Sequence, residues 1–238
     1  MATDEKLPRG SYRLETLRSV LADKLEHEPQ ILDVLVAATA KGQGDPALFE
    51  LLHAAAQRDE RIAELAFAYE RLGQDRRMKT VPAAAQSEIF FHAARFFGDV
   101  FGDTDGAVTY LERVLALAPG HEGAFARLEN ILSAKDDRLR LRDLYASAAA
   151  HRSDVGEQVR LLRCALVLTG ESDAERTIVL LEQIYKTDPT AEGIRDTLAQ
   201  RLALAGRHGE AAKLIEQTLA AAAGRVHWSM MRRANFSR

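Results

Sequence analysis

Apolar side chains recur three, four and seven positions apart along most of the chain, the spacing of helices with one buried face. In "IFFHAARFF", Phe90, Ala93, Ala94 and Phe97 share such a face. A turn region containing Gly98, Gly102 and Gly106 follows, and a second helical face then carries Ala107, Leu111 and Val114 up to a stop at Pro119. The same two-helix arrangement returns downstream. Phe125, Leu128 and Leu132 precede Leu141, Tyr145 and Ala148; Leu161, Cys164, Ala165 and Leu168 precede Thr177, Leu181 and Ile184. A last pair places Arg195, Leu198, Ala199 and Leu202 before Gly206, then Ala211, Ile215 and Thr218. No strand-like alternation interrupts the series, so the expectation is an all-α chain of successive helix pairs.

The pairs keep a fixed period. Ala107 and Ala211 lie 104 positions apart, three units of 34 plus two, and Pro119 and Pro189 lie 70 apart, two units of 34 plus two. One two-residue insertion, placed near His151–Gly156, accounts for both intervals. A 34-residue helix–turn–helix period resembles the tetratricopeptide repeat family. In that family small residues sit where the two helices of a unit touch and a proline often ends the unit; Ala94, Ala107, Ala165, Ala199, Ala211, Pro119 and Pro189 match. The chain departs from the family pattern at Glu129 and Arg163, which occupy or adjoin small-residue places. Phe90, Phe125, Leu161 and Arg195 stand where the family often has tryptophan. The resemblance covers Ser87 to Ala223 and implies an α-solenoid of stacked antiparallel helix pairs, acting as an adaptor or scaffold for a protein or peptide.

The domain expectation is threefold. Residues 1–82 form an N-terminal helical cap plus one divergent helix pair, 83–223 form four repeat units, and 224–238 form a basic tail. Within the first part, Leu14, Leu17, Leu21 and Leu25 make one helix face and Ile31, Leu32, Leu35 and Val36 another. Phe49, Leu52, Leu65 and Tyr69 then face inward from the divergent pair. "GQDRRMKTVPAA", Gly73 to Ala84, reads as a linker or mobile loop, because Val81 before Pro82 is pushed out of the helical region. Ser172 with Glu175 reads as a capping box, Asp45–Pro46 as a helix start, and Gly73, Gly170 and Gly206 as left-handed helix stops.

Composition narrows the function. The 238 residues are 47% hydrophobic, mostly alanine and leucine, and 28% charged, with a net charge of −3. No global field therefore draws the chain to nucleic acid. No window approaches the roughly 18 apolar residues of a membrane span. The charged start "MATDEKLPRGSYR" is unlike a secretory signal, and the lone Cys164 suits a reducing compartment, so a cytoplasmic location is expected. Cys164 itself reads as a buried structural thiol. The histidines have no metal-ligand spacing, "KGQGDP" has no phosphate-loop lysine, and no serine stands in a nucleophile elbow. His53 and His92 read as packed or surface residues. The expectation is a non-enzyme without cofactor or metal.

The resemblance implies that first helices line the binding groove. The residues projecting from their packing faces are Phe91, Arg95 and Asp99; Ala126, Arg127 and Asn130; Leu162, Arg163 and Leu166; and Asp196 and Gln200. Arg95, Arg127 and Arg163 favour an acidic segment through bidentate pairing. The competing expectation leaves them solvated or pairs them with Glu88, Glu129 or Asp99. The family's terminal-carboxylate clamp is not matched, since Phe91, Arg95 and Val159 replace its lysines and asparagine. The alternative to a scaffold is a regulatory sensor that holds a short peptide or small ligand inside the array. From Ala223 onward, four arginines and Trp228 occur without an acid, which raises contact with phosphates, single-stranded nucleic acid or an anionic membrane; a disordered end, or the first residues of a continuing array, is the favoured expectation. An array ending near Ala223 would leave an apolar face open to self-association.

Overall fold

The computed structural model describes residues 46–58, 60–170 and 173–216. The expected helices before Pro46, Ser172 of the capping box, Thr218 and the basic tail lie outside them. Every regular element among the described residues is helical. The chain divides into two compact units, Met1–Ile131 and Leu132–Arg238.

In the first unit, α1 (Pro46–Arg58) and α2 (Ile62–Gln74) form the divergent pair. Pro46 opens α1, where its missing N–H would have had no intrahelical partner. Phe49, Leu52, Leu65 and Tyr69 are buried as their spacing predicts. The segment expected as a mobile loop is ordered differently. Gly73 lies inside α2, Arg76–Thr80 forms a 3-10 turn started by Asp75, and Met78 and Val81 are buried. Two apolar anchors in a short run tie the connector to the core. Helix α3 then covers Ala83–Arg95 and passes directly into a π-helical turn, Phe96–Phe101.

That π turn corrects the expected glycine-rich connection. Gly98 is helical rather than in a loop, and a Cβ added to it would lie 3.4 Å from the Ala107 Cβ, so it marks the close approach of the next helix. The wider turn lets the adjacent Phe96 and Phe97 both enter the core. The helix stops at Gly102, which is left-handed at φ 77°, a conformation glycine adopts without a Cβ clash. Asp103 then caps α4 (Thr104–Leu117), its carboxylate accepting from the Gly106 N–H. Helix α5 (Glu122–Ala134) begins after His121, whose Nδ1 accepts from the Ala124 N–H at 3.1 Å.

The second unit contains α6 (Arg138–Ala149), α7 (Val155–Leu168), α8 (Ala174–Thr187) and α9 (Ile194–Leu204), each packed on the next, followed by α10 over 208–216. Aspartates at equivalent places start successive second helices. Asp137 accepts from the Arg140 N–H and Asp173 from the Arg176 N–H, as Asp103 does from Gly106. The cap of α8 is thus Asp173, not the expected box at Ser172. The caps fall 34 and then 36 residues apart, which preserves the period and its two-residue excess.

The buried face of α7 (Leu161, Leu162, Ala165 and Thr169) lies 37 residues after that of α5 (Ala124, Phe125, Leu128 and Leu132), so the excess over 34 is already present by Leu161, as an insertion near His151–Gly156 requires. Gly206 is left-handed at φ 78°, as its position after α9 predicts, whereas α7 ends through an extended Thr169 before Gly170. In α10 the buried residues are Ala211 and Leu214; Ile215, expected inside, is exposed because the buried face runs from i to i+3. Cys164 is only half-buried.

Candidate functional site

The residues projected from the first helices have different fates in the two units. In the first unit the charges are already matched. Arg127 on α5 donates two hydrogen bonds to the Asp99 carboxylate in the π turn, at 2.9 and 2.7 Å. These bonds, followed by the guanidinium charge, hold the Asp99 carboxyl below its ordinary range. Arg95 lies 3.8 Å from Glu50 on α1. Phe91 is half-buried, with its ring centroid 4.6 Å from that of His121, and its edge fills the space beside Gly123. Phe91 therefore helps seat α5 on α3. Asn130 is exposed.

In the second unit, Leu162 is buried, with 4% of its surface exposed. This removes it from the groove candidates: Leu161, Leu162 and Ala165 together form a wider apolar stripe than a single three-four pattern allows. Arg163 is exposed, and its Nη2 donates to the Glu192 carbonyl at 3.2 Å. Asp196 and Gln200 are exposed on α9, and Asp196 accepts from its neighbour Arg195 at 2.7 Å.

The segment "RLRLRDLY" supplies a feature that composition alone concealed. Arg142, on α6, is 14% exposed and bridges Asp143 and Asp173, while Arg176 on α8 reaches Asp143 at 3.3 Å. Four charges thus join α6 to α8, and Asp173 is both helix cap and ion-pair partner. The 31- and 33-residue separations of these pairs reflect the repeat period; no local motif points to them.

The first unit also contains an aromatic and histidine cluster. The His92 ring stacks on Phe49 with centroids 4.2 Å apart and planes 7° apart. His53 makes a 2.8 Å hydrogen bond with the Tyr69 hydroxyl and lies against Phe96. Phe97 stacks on Tyr110, and Arg113 lies over both the Tyr110 and Phe90 rings. Burial pushes His92 down from 6.5 to about 4, assisted by the charge of Arg95. Burial likewise lowers His53 to about 4, with His92 and Arg95 adding to it and Asp99 opposing. Both rings are thus packed and neutral at pH 7. Among the described residues no three His, Cys, Asp or Glu side chains group to hold a metal. No described helix is long and apolar enough to cross a membrane.

No family model matches the chain, and neither does any curated protein. Among solved structures it is similar to a MamA RS-1 ArsTM double mutant, at 17% identity over 75% of this chain and 95% of that one, with a TM-score of 0.32. MamA 41-end from Desulfovibrio magneticus RS-1 gives 19% identity over 73% and 93%, also with a TM-score of 0.32. A crystal structure of MamA protein gives 14% over 73% and 90%, with a TM-score of 0.33. Likeness at this level carries neither topology nor function from one chain to another.

Proposed function

We propose that this protein is a non-enzymatic helical-repeat scaffold of tetratricopeptide type, which holds an acidic protein or peptide segment on the outward faces of its first helices. One observation carries the reading: the helix pairs recur with aspartate caps 34 and 36 residues apart, and Asn130, Arg163, Asp196 and Gln200 stand exposed on the first helices. Such pairs each bury too little surface to stand alone and gain stability by packing on their neighbours, which leaves one side of each first helix free for recognition.

The arginines contribute unequally. Arg127 must give up a bidentate bond to Asp99 before it can meet a ligand carboxylate, whereas Arg163 gives up one bond to a carbonyl. Arg163 is therefore the principal acidic contact, with Gln200 as a polar contact in the same unit. The test is fluorescence polarisation of a labelled glutamate-rich peptide against the full chain, with a lysine-rich peptide as control. Arg163→Ala should weaken glutamate-peptide binding about tenfold, the equivalent of roughly 1.4 kcal/mol. Arg127→Ala should weaken it less. Equal affinity for both peptides, or no effect of Arg163→Ala, overturns the reading.

A further inference from the structure

Arg163 and Arg127 sit on helix surfaces, but Arg201 lines an indentation of about 280 Å³ within the second unit. The end of α7 contributes Leu166 and Val167, α8 contributes Leu181, and α9 contributes Arg201. Three threonines complete the wall, and each turns its hydroxyl back onto its own backbone. Thr169 donates to the Ala165 carbonyl at 2.8 Å, Thr177 to Asp173 at 3.0 Å, and Thr197 to Gly193 at 2.8 Å. With their protons committed, these hydroxyls have none left to donate to a ligand. The lining therefore offers an apolar body and a single strong donor, the Arg201 guanidinium.

The situation of Arg201 differs from that of its neighbours. Arg142 and Arg207 in the same unit are each held by two carboxylates. Arg201 has no ion-pair or hydrogen-bond partner for its side chain among the described residues, although it is partly withdrawn from solvent. At the rim, Val167 is 77% exposed, an apolar surface left uncovered beside a charge that has no partner among the described residues. A guanidinium in such a place favours an anion that brings its own apolar surface, because the ion pair strengthens as water leaves the cavity.

We infer that this indentation is a binding site for an aliphatic carboxylate, with the carboxylate on Arg201 and the carbon chain against Leu166, Val167 and Leu181. At about 280 Å³ the indentation lies at the lower end of ligand-pocket volumes and suits a small ligand. Hexanoate has that size. The same chemistry occurs in a free short-chain acid and in an aliphatic residue at a peptide's carboxyl end, and the two sources are separable by experiment. The site differs from the outward-face reading in its charged contact, Arg201 rather than Arg163, and shares only Leu166 with the groove candidates, so either can fail alone.

The test is a titration of the 15N-labelled full chain, followed by amide chemical shifts, with sodium hexanoate, hexanamide and N-acetylleucine as probes. Hexanoate should give saturable shifts centred on Gly170, Thr197 and Arg201, and hexanamide should bind at least tenfold more weakly. Arg201→Gln should weaken hexanoate at least tenfold, and Arg201→Lys should recover part of the loss. Tighter binding of N-acetylleucine than of hexanoate assigns the site to a chain end, and the reverse assigns it to a free acid. Absence of saturable shifts, equal response to hexanamide, or indifference to Arg201→Gln overturns the inference. None of these results depends on the glutamate-peptide assay, so loss of one activity leaves the other measurable.

Discussion

Replacing His92 by Phe should stabilise the first unit, and increasingly so as the pH falls. His92 is 2% exposed, and both ring nitrogens are buried without a hydrogen-bond partner. A buried polar group left unpaired costs about 1–3 kcal/mol. Phe keeps the stacking on Phe49 and removes that cost, at the expense of fitting a slightly larger ring beside it. A net gain of about 1 kcal/mol is expected at pH 7.5, where His92 is neutral in both the folded and unfolded states. Below pH 6.5 the unfolded chain protonates this histidine and the folded chain resists, so the parent loses stability until the pH passes the folded value of about 4. That difference is worth about 2 kcal/mol at pH 5 and about 3 kcal/mol at pH 4. His53, hydrogen-bonded to Tyr69 and facing His92 and Arg95, follows the same direction in both proteins and is relieved of one repulsion in the variant. Hydrogen exchange on peptides covering α1 and α3, at pH 7.5 and pH 5 with correction for intrinsic rates, isolates the unit from the rest of the chain. The variant's advantage should grow by about 2 kcal/mol between the two conditions. A constant advantage, or a variant less stable at both, would show that His92 is neither desolvated nor unpaired as described.

Other substitutions test the packing and the caps. Ala107→Leu places three carbons where the next helix approaches Gly98, and should lower stability by about 1–3 kcal/mol in urea denaturation, with Ala107→Ser much milder. Asp103→Ala removes the cap of α4 and should cost about 1 kcal/mol, while Asp103→Asn should retain most of it, measured by the same transitions. Gly206→Ala forces a left-handed conformation on a residue with a Cβ and should cost about 1 kcal/mol, visible as a lower Tm. Asp173→Ala should exceed Asp103→Ala in cost, because it removes a cap and also leaves Arg142, only 14% exposed, short of one carboxylate; a double-mutant cycle with Arg142→Met measures the excess.

The fold was legible where a physical requirement repeats locally. Buried positions such as Leu111, Val114, Leu181 and Ile184 follow helical spacing directly, and the 34-residue period is visible in the alanines and prolines before any coordinate is known. The π turn at Phe96–Phe101 was not legible, because glycine at position 98 signals a turn and a close helix contact equally well. Gly73 misled for the same reason, and the connector after it is held by Met78 and Val81, two apolar residues too few to show a period. Of the candidate site, the exposed charges were legible and their partners were not. Arg127 meets Asp99 across 28 residues, and only the fold brings them together. Leu162 was misplaced because the buried stripe of α7 is wide enough to include it. Arg201 and its cavity have no sequence signal, since a lone arginine on a helix is ordinary until its neighbours are known.

The central claim, that the outward faces of the first helices receive an acidic segment chiefly through Arg163, is tested most directly by the side-chain Nε–Hε resonances of the arginines in the full chain. On addition of the glutamate-rich peptide, the Arg163 resonance should move saturably, and that of Arg127, already held by Asp99, should move less. An Arg163 resonance that stays in place, or that moves only as the others do with added salt, would contradict the account.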